Sequence, residues 1–285
     1  MKLARGLALE AARCWYPDDH HIERQEMTDE VLVVRDGPVM TITLNRPEKY
    51  NALTFGMYAR LAELCEGEAR DGSVRAIVLT GAGGKAFAAG TDIAQFREFK
   101  SPDDGLRYEA EVDRILSAIE RCPVPMIAAI AGACTGGGAA IAACCDMRMA
   151  TRDARYGFPI ARTLGNCLSA TSLQRLTGLM GAPRVVDLLF TSRLLTAEEC
   201  LTAGLVTEIV DDHAALVKRA GELAQQIAGF APLTLSTTKE LMRRIREATP
   251  KIDDHDLVAR VYTSADFREG LDAFLSKRKP QWTGK

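Results

Sequence analysis

From Val31 onward, apolar and polar positions fall into short blocks whose period changes repeatedly. "VLVVRDGPVMTITLN" reads as two strands joined by a turn at Asp36-Gly37-Pro38. "RPEKYNAL" breaks the pattern, and "TFGMYARLAELCEGEAR" then carries its apolar residues at helical spacing. "RAIVLTG" is a short continuous apolar run, as expected of a strand buried on both faces, and it runs into the glycine-rich "GAGGKAFAAGTD". "GLRYEAEVDRILSAIERC" predicts an amphipathic helix stopped by Pro123 and Pro125, followed by a second buried strand in "PMIAAIAG". Next, "CTGGGAAIAACCD" sets three glycines before small apolar residues, and a helix is expected from about Gly138. Strand and helix in alternation argue for an α/β core with parallel strands and crossovers. From "TAEECLTAGLV", and clearly from Asp211, long helical patterns dominate with few strand candidates. The expected organisation is an N-terminal extension over 1–28, a core over 29–200 and a helical region over 201–285.

Composition narrows the function classes more than the fold. The chain has 285 residues, 47% apolar and 26% charged, with a formal charge of −2. That balance speaks against attraction to nucleic acid or an anionic membrane, and no apolar run approaches a membrane span. Eight cysteines show no CxxC spacing and only four histidines accompany them, so buried thiols in a reducing, cytoplasmic setting are expected. Neither a disulfide framework nor a metal site is expected. The first residues are faintly basic and amphipathic but contain Glu10 and no long apolar stretch, which argues against a secretory signal; a transit peptide is the alternative.

Two loops share one design, a buried strand running into small residues before a helix. Gly90 with Thr91 forms one and Gly136 to Gly138 the other. Small residues let a ligand lie against backbone, and a helix start offers N–H groups with a favourable dipole. Two such N–H groups on one carbonyl oxygen make an oxyanion hole, each donor worth about 3–4 kcal/mol in the transition state. Close helix–strand packing is the alternative reading of either loop. The phosphate-cradle patterns G-x-x-x-x-G-K-[ST] and G-x-G-x-x-G are absent.

The motifs "LNRPEKYNAL", "GAGGKAFAAGTDI", "PMIAAIAGACTGGG", "CDMRMAT", "LTAEECLTAGLVTEIV" and "FREGLDAFLSKRKPQW" follow one another between about Val31 and Trp282. In that order they resemble the crotonase (enoyl-CoA hydratase/isomerase) superfamily. The resemblance implies a spiral of ββα units with a helical C-terminal region that assembles into a homotrimer or a hexamer. It also implies an acyl-CoA thioester as partner and substrate, with no cofactor beyond the coenzyme A it carries, and lyase or isomerase chemistry through an enolate. Matched by motif, the two oxyanion amides belong to Thr91 and Gly137. Lys49 matches a basic position near the coenzyme phosphates, Ala52 and Ala88 line the pantetheine or adenine channel, and Phe274 and Lys277 match the region reaching the adenine. A solvated turn for Lys49 and a charged helix end for Lys277 are the plainer alternatives.

Hydratases of this family use two glutamates, one two residues past the triple glycine and one after the proline of an "FGxPE"-like motif. Here Ala140 and Ile160 stand at those positions. Losing a general acid or base costs roughly 10²–10⁴ in rate, so standard hydration is not expected. Asp113 is a candidate replacement, because some relatives place an active-site base on that helix. Glu109 shares its face at four-residue spacing, whereas Glu111 points elsewhere, and a solvated helix face is expected for Glu109 and Glu111. Arg162 could hold a carboxylate or stabilise thioester charge; a surface ion pair is its alternative. Cys167 could be a nucleophile with a lowered pKa if it sat at a helix start, or could simply pack. Asn166 and Ser169 are helix-cap candidates, and Asp92 is expected to tie down its loop. Tyr50 and Tyr58 could reach an acyl pocket, and His20, His21, His213 and His255 are expected at the surface. Three readings follow: an enolate-forming hydratase/isomerase-type enzyme with a relocated acid or base, a thioester hydrolysis or C–C cleavage, and a non-catalytic acyl-CoA binder.

Overall fold

A computed structural model describes residues 30–70, 72–98, 102–248 and 252–285, so the expected extension over 1–28 lies outside the described residues. Strands β1 (Val31–Asp36) and β2 (Val39–Leu44) form the expected antiparallel hairpin, with Asp36 opposite Val39. Helix α1 (Phe55–Glu66) follows, capped by the Thr54 side chain accepting from Met57 N–H. Strands β3 (Ala76–Gly81), β5 (Met126–Ile130), β7 (Met147–Thr151) and β10 (Glu208–Val210) extend the sheet in the order β1-β2-β3-β5-β7-β10, parallel from β2 onward.

A second sheet of four short strands runs β4 (Ala86–Ala88), β6 (Ala133–Thr135), β8 (Arg155–Gly157) and β9 (Leu195–Thr196). Each turn of chain thus gives one strand to the large sheet and the next to the small one, which makes a spiral. Strands of three residues carry too little periodicity to be read from sequence, and β10 falls inside the stretch expected to be helical.

Continuous apolar runs in β3 and β5 have a simple cause, because both faces are covered. Ile77, Leu79, Met126, Ala128 and Ile130 join the main core with α1 and α2 (Pro102–Glu120). The alternate residues Ala76, Val78, Ile127 and Ala129 pack on Leu216, Ala220, Ala224 and Ile227 of α8 (His213–Ala228). Helix α3 (Gly137–Cys144) begins one residue before the expected start. Its far end is held by the buried Arg148 guanidinium, which donates to the carbonyls of Ala142 at 3.1 Å, Cys145 at 2.6 Å and Leu205 at 2.6 Å.

Between the core and the C-terminal helices lie α4 (Ile160–Thr163), α5 (Ala170–Met180), α6 (Ala182–Thr191) and α7 (Ala197–Thr202). The chain then closes with α8, α9 (Pro232–Glu247), α10 (His255–Tyr262) and α11 (Ala265–Leu275). Helix α9 buries none of its residues and exposes Leu233, Leu241, Met242 and Ile245, yet Lys239 anchors it to Asp146 at 2.7 Å and to Val124 O at 3.1 Å. Helix α10 returns across α2, and that return shapes the site. Among the described residues no helix is long and apolar enough to cross a membrane.

Candidate functional site

The two glycine loops touch. Gly90, at φ +108°, and Gly136, at φ +51°, both adopt backbone that side chains rarely tolerate. A Cβ on Gly136 would stand 3.4 Å from Gly90 Cα, and one on Gly137 would stand 3.0 Å from Thr91 Oγ1 and 2.0 Å from the Tyr58 hydroxyl. Leu53 N–H donates to Gly90 O and Asp92 N–H to Leu53 O, each at 2.8 Å, so the residues flanking Thr91 are pinned. Asp92 does tie down its loop, pairing with Arg46 at 3.0 Å while Arg46 donates to Ala52 O at 2.7 Å. Among the described residues neither Thr91 N–H nor Gly137 N–H donates to a backbone carbonyl. Gly137 is the first residue of α3, where no intrahelical acceptor exists for its N–H.

Against these loops lies a polar cluster that the sequence does not announce. Thr91 Oγ1 is hydrogen-bonded to the hydroxyls of Tyr58 and Tyr108, both at 3.0 Å. Burial pushes both phenols well above their ordinary range. Beside Tyr108, the Glu109 carboxylate accepts from the Tyr262 hydroxyl of α10, which in turn accepts from Asn166 Nδ2 at 3.4 Å. Asn166 Oδ1 is buried without a hydrogen-bond partner among the described residues. Burial pushes Glu109 up to about 8, opposed by the Tyr262 hydrogen bond and reinforced by the charges of Asp113 and Asp254. A carboxyl of this kind can both release and accept a proton near neutral pH.

The expected solvated face of α2 is therefore corrected. Glu109 is only partly exposed beneath Tyr262, and Glu111 is 5% exposed with its carboxylate bridged to Arg114 at 2.7 and 2.9 Å. Helical spacing along α2 cannot reveal that α10, some 150 residues later, covers this face. The four-residue pair Glu109 and Asp113 was the available signal.

Asp113 accepts from Ser169 Oγ at 2.9 Å, and burial raises its pKa. Ser169 also caps α5, accepting from Ser172 N–H, whereas Asn166 bonds Tyr262 and caps nothing. Cys167 lies three residues before α5, and burial pushes its thiol up to about 12, the opposite of an activated nucleophile. Arg162 is exposed on α4 and forms no side-chain bond with this cluster among the described residues. Ala140 is buried within α3, and Ile160 opens α4.

Lys49 is exposed at the end of a 3₁₀ turn (Pro47–Lys49), with Ala52 just beyond it and Ala88 fully buried on β4. Phe274 and Lys277 are exposed at the end of α11, whose side lines an open cleft of 370 Å³ with Arg97, Arg268 and Leu271. His255 is exposed, but His213 packs against Gly84 with its Nε2 buried, and His20 and His21 lie outside the described residues. No cluster of potential metal ligands exists among the described residues.

Known proteins match this chain over nearly its whole length. The family model described as enoyl-CoA hydratase/isomerase matches residues 35–285. A short-chain-enoyl-CoA hydratase of Clostridium acetobutylicum is 31% identical over 254 residues, covering 88% of this chain and 96% of that protein. A 1,2-epoxyphenylacetyl-CoA isomerase of Escherichia coli is 33% identical over 265 residues, covering 91% of this chain and 100% of that protein. The solved structure of a methylmalonyl-CoA decarboxylase in complex with 2-nitronate-propionyl-CoA superposes with a TM-score of 0.82 at 29% identity, over 90% of this chain and 100% of that one. By sequence along its whole spiral and by the fold itself, the chain belongs to the enoyl-CoA hydratase/isomerase family, within the crotonase superfamily.

Proposed function

We propose that this acyl-CoA enzyme holds a thioester carbonyl between Thr91 N–H and Gly137 N–H and stabilises the enolate formed when a proton leaves the α-carbon. The observation that carries this reading is the contact of the two glycine loops, with both N–H groups left without a backbone acceptor among the described residues. Negative charge arriving on the carbonyl oxygen would meet two fixed donors and the start of a helix. Coenzyme A would extend past Ala52 and Ala88 toward Lys49, with Phe274 and Lys277 at its adenine end. With Ala140 and Ile160 where the hydratase glutamates would stand, water has no pair of carboxylates to activate it, so hydration of crotonyl-CoA is slow. Arg162 is left to the solvent, and Asp113 acts through Ser169 on the loop rather than on substrate.

The test is exchange of the α-protons of butyryl-CoA with D2O, followed by mass spectrometry. Enzyme-dependent exchange is expected, with crotonyl-CoA hydration at least about 10²-fold below a two-glutamate hydratase. Acyl-CoA binding without exchange would replace the enzyme by a binding protein. Decarboxylation of a malonyl-type thioester is the second reading, favoured by the TM-score of 0.82 to methylmalonyl-CoA decarboxylase. Release of CO2 from methylmalonyl-CoA would select it. The exposed apolar residues of α9 favour assembly into a trimer or a hexamer, which the mass in solution tests.

A further inference from the structure

Proton abstraction at an α-carbon needs a base, and neither expected glutamate is present. Three carboxyls lie around the loop that precedes α5. Asp254 accepts from Ala170 N–H at 2.5 Å, which commits it to the start of that helix. Asp113 is held by Ser169 Oγ at 2.9 Å. Glu109 differs from both. Tyr262 donates to its Oε1 only, no hydrogen bond to Oε2 is found among the described residues, and no cation pairs with it there. The neighbouring residue Tyr108 bonds Thr91 Oγ1 at 3.0 Å, so the element bearing Glu109 is fastened to the loop bearing Thr91 N–H. Asn166 Oδ1 is buried in the same cluster without a partner, leaving room for one more hydrogen-bond donor.

We infer that Glu109 is the catalytic proton carrier of this site and Tyr262 its positioning residue, an inference that rests on the carbonyl-binding reading above. With Asp113 committed to Ser169 and Asp254 to Ala170 N–H, Glu109 is the one of the three left to carry a proton, its Oε2 without a hydrogen bond among the described residues. That suits a proton shift better than addition of water, so the substrate class is a β,γ-unsaturated acyl-CoA. Glu109 takes a proton from Cα, and the C–H electron pair moves into a dienolate whose oxygen Thr91 N–H and Gly137 N–H hold. The carboxylic acid then returns the proton to Cγ, the double bond moves into conjugation with the thioester, and Glu109 is again a carboxylate. No atom is gained or lost. Among the described residues, the groups facing Glu109 are Asp113 on its own helix, Tyr108 beside it, Tyr58, Tyr262, Cys167 and Asp254. No cation is among them, which agrees with a carboxyl raised to about 8 and active as a base in its vicinity.

The experiment follows trans-3-hexenoyl-CoA conversion and α-proton exchange by the full-length chain, with Glu109→Gln, Glu109→Asp and Tyr262→Phe. Glu109→Gln should lower kcat of both processes about 10³-fold, with KM within about threefold. Glu109→Asp should regain at least about tenfold over Gln. Tyr262→Phe should move the midpoint of the pH–rate profile upward, because its hydrogen bond favours the carboxylate; a purely structural role would leave that midpoint in place. Isomerisation and exchange in Glu109→Gln within about tenfold of the unaltered chain would overturn the inference while leaving the carbonyl reading intact. An unaltered chain that binds no hexenoyl-CoA would overturn both.

Discussion

Replacing Gly137 by alanine tests the geometry of the two loops without touching a titratable group. The new Cβ would lie 2.0 Å from the Tyr58 hydroxyl and 3.2 Å from Tyr58 Cζ. Ordinary contact needs roughly 3.5 Å, so the hydroxyl must retreat by roughly 1.5 Å. Tyr58 has no exposed surface and cannot swing into solvent, so its ring and the packing around it must shift. Overpacking of this kind costs about 1–3 kcal/mol, and the strained Tyr58–Thr91 hydrogen bond adds about 1 kcal/mol. Gly137 itself has no positive φ, so the backbone accepts alanine and contributes no strain of its own. Gly137→Ala should therefore lose about 2–4 kcal/mol in urea denaturation. Tyr58→Phe should lose about 1 kcal/mol, because Thr91 Oγ1 keeps its bond to Tyr108. The double variant removes the colliding hydroxyl and leaves the milder contacts with Thr91 Oγ1 at 3.0 Å and the ring Cζ at 3.2 Å, so it should be more stable than Gly137→Ala by about 1 kcal/mol. Effects that add within about 0.5 kcal/mol, or a single alanine variant as stable as the parent, would refute the described contact.

Other outcomes follow from neighbouring groups. Glu109 has its folded pKa raised to about 8 from an ordinary 4.5, so its stabilising contribution is complete below 4.5 and is lost as pH rises through 8. Glu109→Gln should melt increasingly above the parent across that window, by a difference approaching about 4–5 kcal/mol at its upper end, as thermal scans in matched buffers would record. Glu120 accepts from Arg175 at 2.6 and 3.0 Å and from Arg246 at 2.8 Å; Glu120→Gln leaves the buried Arg175 uncompensated and should cost about 3–5 kcal/mol by denaturant titration. Iodoacetamide should label Cys167 on the order of 10³-fold more slowly at pH 7.5 than a free thiol, since its pKa is pushed up to about 12. Rapid labelling in a peptide map would show the thiol to be ionised.

The spiral was legible because its longest strands are read without reference to distant partners. "AIVLTG" and "MIAAI" are apolar at every position, and the structure gives each a covered face on both sides. The paired glycine loops were legible for a related reason, since three glycines in succession signal backbone constraint wherever they occur. The small sheet was not, because strands such as Ala86–Ala88 are shorter than one clear alternation. At the site, Thr91 and Gly137 stand in motifs that can be matched, but Glu109 acquires its surroundings from Tyr262, 153 positions away. Nothing local to "EAEVDRIL" distinguishes a carboxyl facing water from one under a returning helix. For Cys167 the packing alternative is the one the structure favours: its thiol faces Glu109 and Asp254, and no helix start lies there to lower its pKa.

Arg148 gives the triple-glycine helix an asymmetry. Its guanidinium grips the trailing carbonyls of a helix only eight residues long, while the leading residue, Gly137, abuts Tyr58 and Thr91. A rod clamped at the rear and wedged at the front has little freedom to slide along its axis. In the carbonyl-binding reading proposed above, an incoming oxygen would have to adapt to the N–H rather than the reverse, which would favour ligands whose own geometry changes most as charge develops.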